Sequence, residues 1–71
     1  MQYLVVVEKT ETSFGAYVPD LPGCVAVGQS RDEVLRLIRE AIELHLEEMV
    51  GSGLLIPPPT TTGEVVEVEG A

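Results

Sequence analysis

Tyr17-Val18-Pro19-Asp20-Leu21-Pro22-Gly23-Cys24 joins two short apolar runs, and a stretch of helical periodicity follows a few residues later. Pro19 and Pro22 each fix φ and remove a backbone donor, and Gly23 can take a conformation closed to other residues. A plain hairpin needs only two connecting residues, so this longer and stiffer connector is either a recognition surface or a corner peculiar to the fold. Asp20 is expected to bond the backbone of its own turn, as aspartate does in such places.

On either side of the corner the pattern is that of strands. Residues 2–8, QYLVVVE, form a β-branched run suited to a strand buried on both faces. A polar turn leads to residues 14–18, where Phe14, Ala16 and Val18 fall on one face and Gly15 and Tyr17 on the other. Residues 25–28 supply a short third strand, so the order predicts an antiparallel meander. Ser30-Arg31-Asp32-Glu33 has the form of a capping box, with two acids at the positive end of the helix that follows. The helix is expected over 31–50, with Gly51 and Gly53 as stop candidates. Val34, Leu35, Ile38, Ala41, Ile42, His45, Leu46 and Met49 make its apolar stripe. Leu37 and Leu44, seven residues apart, flank that stripe and are either the rim of a wide core face or an oligomer contact.

The remainder divides into a Gly/Pro/Thr linker over 51–63 and an expected final strand over 64–69. Val66 and Val68 share one face of that strand, and Glu67 and Glu69 the other. The extended Pro-rich lead-in allows it to cross back over the sheet or to reach a neighbouring subunit. The fold class is α+β: a single domain over 1–71, β-β-β-α-β, with one helix packed across the sheet and 1–50 holding the sheet and helix.

Composition narrows the function. Twelve acidic against four basic residues give a formal net charge of −8. Nucleic-acid binding depends on neutralising phosphates with Lys and Arg, so direct binding to DNA or RNA by this chain is not expected. The same charge suits a basic partner, or solubility alone. No run approaches the length of a membrane span, and the single cysteine, Cys24, fits a reducing cytoplasm, where it reads as a small buried hydrophobe. His45, the lone histidine, lies within the apolar stripe and reads as structural. No nucleophile–base pair, metal-ligand set or phosphate loop is evident, so no cofactor, metal or enzymatic activity is expected. A 71-residue chain has a thin core and gains from association with itself, as a dimer or tetramer.

Residues 14–18, Pro19-Asp20-Leu21-Pro22-Gly23-Cys24, Val27-Gly28, Ser30 and the helical Glu33-Val34, Ala41-Ile42 and His45-Leu46 together resemble the HicB family, the antitoxin half of HicA–HicB toxin–antitoxin pairs. The resemblance implies a partial ribonuclease-H-like fold without nuclease activity. It also implies a small basic, messenger-RNA-cleaving HicA-like toxin as partner, neutralised by covering its active-site histidine, and homo-oligomerisation. Pro19, Asp20, Leu21, Pro22, Gly23 and Cys24 become the candidate partner-binding corner, and Leu37 and Leu44 the candidate oligomer contact. Family members usually carry a C-terminal DNA-binding module, for which 71 residues leave no room, so a short neutralising form is expected. The alternative is an orphan homo-oligomeric adaptor for a ligand or protein, of the same fold and without a toxin.

Overall fold

The computed structural model describes residues 1–70. Three strands, β1 (Val6–Lys9), β2 (Phe14–Tyr17) and β3 (Val25–Gly28), precede one helix, α1 (Arg31–Gly51). They form an antiparallel sheet in the order β1-β2-β3, the expected α+β meander. Val6, Tyr17 and Val25 lie abreast across it, as do Val7, Ala16 and Ala26.

β1 is shorter than the run that encodes it. β2 ends at Tyr17 opposite Val6, and Pro19 then turns the chain away, so residues 2–5 have no strand beside them on that side. The sheet is also covered on one face only. α1 lies over β2 and β3, burying Ala16, Val18, Leu21, Cys24, Val34 and Ile38 as one cluster, with Val7, Phe14 and Ala26 packed against it. On the opposite face Tyr17, Val25 and Val27 stand exposed, and β1, expected to be buried on both faces, has Val6 and Val7 only half-buried and Glu8 and Lys9 exposed.

The helix starts as its sequence dictates. Ser30 Oγ accepts the Glu33 N–H at 3.1 Å, and Glu33 Oε1 reaches back to accept the N–H of Gln29 at 2.7 Å. The first bond satisfies a donor that the first turn leaves without a partner; the second falls one residue short of the N-cap, on Gln29, and ties the incoming chain to the helix start. It ends at a Schellman motif: Gly53 adopts φ +73°, the Leu54 N–H donates to Met49 O and the Gly53 N–H to Val50 O. Twenty-one residues make a rod of about 31 Å over strands of only about 13 Å. The last turns therefore extend beyond the sheet, with Leu44 and Val50 exposed, while Ala41, Ile42 and Leu46 still pack against the core. Arg36 and Glu40 pair at 3.3 Å in the open, which stabilises the helix by a few tenths of a kcal/mol at most.

The expected strand over 64–69 is not formed. Its residues are exposed and join no ladder among the described residues, and the linker before them is held to the corner and lies against Leu4.

Candidate partner-binding surface

The corner is two consecutive turns hinged on one residue. The Leu21 N–H donates to Val18 O at 3.1 Å and the Cys24 N–H to Leu21 O at 3.0 Å, while the Val18 N–H and Cys24 O close the base at 3.2 Å. Pro19 and Pro22 thus each occupy the second position of a turn, where their fixed φ is already correct. Gly23, with φ +85°, gives the second turn type II form, which requires a positive angle at its third position.

Leu21, shared by both turns, is completely buried, and Cys24 nearly so. Burial pushes the Cys24 thiol pKa up, the reverse of what activates a nucleophile. These two members of the candidate corner therefore face the core. Pro19, Pro22 and Gly23 are its outward residues.

A side chain added at Gly23 would meet nothing within 4 Å, so substitution there costs only the backbone conformation. Gly23→Val is expected to destabilise by about 1–3 kcal/mol. Thermal melting checks it, and an unchanged midpoint would contradict the turn assignment.

Asp20 does not bond within its own turn. Its Oδ2 accepts the N–H groups of Thr60 and Thr61 at 3.0 and 2.9 Å, and its Oδ1 accepts their hydroxyls at 3.3 and 2.7 Å. Four donors from forty residues away converge on one carboxylate and fasten the linker to the corner. The Tyr3 hydroxyl adds a second tie, donating to Pro57 O. The sequence carried a signal for this contact, an acid in the corner and a run of three threonines, but not their proximity.

The bonds from Thr61 hold the Asp20 carboxyl below its ordinary pKa; desolvation opposes them, and the weaker bonds from Thr60 add to the lowering. A depressed folded-state pKa means the clamp is fully present above the unfolded value of about 3.9 and lost as pH falls through the lower folded value. The linker is thus expected to stay fastened at neutral pH and to loosen only in acid. Amide exchange at Thr60 and Thr61 reads this directly. Asp20→Ala should abolish their protection at pH 7, and protection surviving that change would disprove the clamp.

The second feature is electrostatic. All three arginines of α1 lie at or before Arg39, whereas Glu40, Glu43, Glu47 and Glu48 are exposed beyond it, with no basic residue in the last turn. Acids at the negative end of a helix dipole oppose stability, so folding alone does not favour this arrangement. The signal was legible in the sequence as the absence of Lys and Arg after Arg39. Leu37, half-buried, and Leu44, exposed, lie on this helix and not at the corner. His45 is half-buried beside Glu48 and Met49 in a shallow hollow. Among the described residues no group of three or more His, Cys, Asp or Glu could hold a metal ion, and no helix is long and apolar enough to cross a membrane.

Comparison with known proteins gives a consistent result. The model of the HicB-like antitoxins of bacterial toxin–antitoxin systems matches residues 3–70. A UPF0150 protein of Helicobacter pylori is 52% identical over 44 residues, 62% of this chain and 61% of that protein. Antitoxin HicB 2 of Photorhabdus laumondii is 33% identical over 69 residues, 96% of this chain but 50% of its own length. The chain therefore spans about half to two thirds of these relatives. Among solved structures, a chain of a HicA3 and HicB3 toxin–antitoxin complex aligns with a TM-score of 0.71 and 30% identity, over 83% of this chain and 70% of that one.

Proposed function

This chain belongs to the family of HicB-like antitoxins of bacterial toxin–antitoxin systems, and from that premise we propose that it neutralises a small basic HicA-like toxin in the cytoplasm by covering the surface with which the toxin grips RNA. The observation that carries this reading is the exposed acidic half of α1, where Glu40, Glu43, Glu47 and Glu48 follow the last arginine and Glu47 and Glu48 add to the negative pole of the helix dipole. A protein that binds RNA must present cations to phosphate, and the same cations are drawn to a rigid row of carboxylates. Complementary charge of this kind accelerates encounter and fixes orientation. Pro19, Pro22 and Gly23, the outward residues of the corner, form further contact surface.

Family membership and the HicA3–HicB3 likeness support the choice of partner, and the net charge of −8 supports its sign. Co-expression with a HicA-like toxin tests the reading. The chain is expected to restore growth to cells arrested by the toxin. A variant carrying Glu43→Lys, Glu47→Lys and Glu48→Lys is expected to remain folded and fail to do so. Equal rescue by that variant would remove the acidic helix from the interface, and no rescue by either chain would dismiss the toxin as partner.

A further inference from the structure

The chain exposes 5559 Å², whereas a compact monomer of its 7.6 kDa is expected to expose about 4,300 Å². The excess, about 1,300 Å² per chain, is of the size that each partner buries in an obligate homodimer. Part of it lies at the end of α1 and just after, where Leu44, Val50, Leu54 and Leu55 are exposed, and part in two further places that match one another. One is the segment 64–69, where Val65, Val66 and Val68 are 100%, 73% and 70% exposed. The other is β3 with its neighbour Tyr17, where Val25 and Val27 are 64% and 66% exposed.

Each of these lacks what the other supplies. β3 is an edge strand of sequence VAVG, with no charge or proline of the kind that protects free edges from pairing. The segment 64–69 is extended, β-branched and alternating, yet it joins no ladder among the described residues. Val66 and Val68 have the same two-residue spacing as Val25 and Val27, so one pairing aligns both valine pairs on the open face of the sheet.

The segment cannot make this pairing within its own chain. Gly63 lies against Leu4, on the β1 side of the sheet, with the Asp20 clamp just before it. β3 is at the opposite edge, two strand spacings or about 10 Å away. A six-residue arm of about 20 Å would use half its length in crossing. The near edge is a poor alternative, because Glu8 there would face the arm's glutamates and the linker already lies against Leu4.

We propose that residues 64–69 of one copy add to the outer edge of β3 of a second copy, reciprocally, as a fourth strand. Val66 and Val68 cover Val25, Val27 and Tyr17, and the Asp20 clamp aims the arm outward. This surface is separate from the acidic helix and does not depend on the toxin reading.

Light scattering of the purified full chain tests the proposal. The chain is expected at twice 7.6 kDa, and both Val66→Lys/Val68→Lys and Val27→Lys are expected at the monomer mass with unchanged circular dichroism, since all three positions are exposed. A Val27→Cys chain mixed with a Val66→Cys chain is expected to form the inter-chain disulfide on oxidation. A monomeric wild type, a dimer that survives either lysine variant, or a disulfide formed only within the doubly substituted chain would overturn the proposal.

Discussion

Leu21→Ala is expected to cost about 2–5 kcal/mol, the range for truncating a fully buried leucine. A domain of this length has about 4–10 kcal/mol in total, so one such loss takes a large share of its stability. Leu21 holds this position because of its neighbours. The two turns around it share its N–H and C=O, and Pro19 and Pro22 stiffen both sides, so its side chain is delivered under α1 with little freedom left to lose on folding. The truncation removes the plug and leaves the frame around a cavity. Thermal melting should show a drop on the order of 10–30 °C. Leu21→Met, which keeps the volume, should cost less than about 1.5 kcal/mol. A Leu21→Ala protein melting within a degree or two of wild type would mean the corner does not anchor the core.

Gly28→Ala is expected to cost about 1–3 kcal/mol, as overpacking does. A methyl there would stand 2.9 Å from Val34 N, 3.1 Å from Val34 Cα and 3.1 Å from Glu33 Oε1. Two of those atoms are helix backbone and cannot step aside without moving α1 off β3. The third is the carboxylate oxygen that caps the Gln29 N–H, so the methyl also threatens the helix start. The two effects share an atom, and Gly28→Ala combined with Glu33→Ala should therefore cost less than the sum of the separate changes. Urea unfolding of the three variants measures this coupling. Strict additivity would show that the glycine matters only for backbone spacing. No loss at all in Gly28→Ala would contradict the close approach of β3 and α1.

The elements were legible in the sequence wherever local physics decides them. Ser30 and Glu33 announced the helix start, the spacing of Pro19, Pro22 and Gly23 announced a stiff corner, and the alternation of Phe14, Ala16 and Val18 announced the buried face. What the sequence did not disclose depends on distance. Gly28 looked like the end of a strand, because its reason is a contact with Val34 across the layer. Asp20 looked like a turn residue, because Thr60 and Thr61 are forty residues away. Residues 64–69 carry strand chemistry but find no edge in their own chain, and alternation alone does not say which chain provides one. The candidate corner was recognised from its types, but types could not separate Leu21 and Cys24, which turn inward, from Pro19, Pro22 and Gly23, which turn out.

On the proposed reading, the acidic half of α1 is where folding and function pull apart. Four glutamates follow Arg39 with no basic residue after them, and Glu47 and Glu48 lie at or next to the last turn, where the helix dipole opposes them; the core does not need them, which suits a surface meant for a basic partner. The direct measurement is RNA cleavage by a purified HicA-like toxin titrated with this protein at moderate salt. Cleavage is expected to fall linearly to zero at a fixed whole-number ratio of the two proteins, and to return as salt is raised. Undiminished cleavage with this protein in large excess would contradict the assignment of the acidic helix to a toxin.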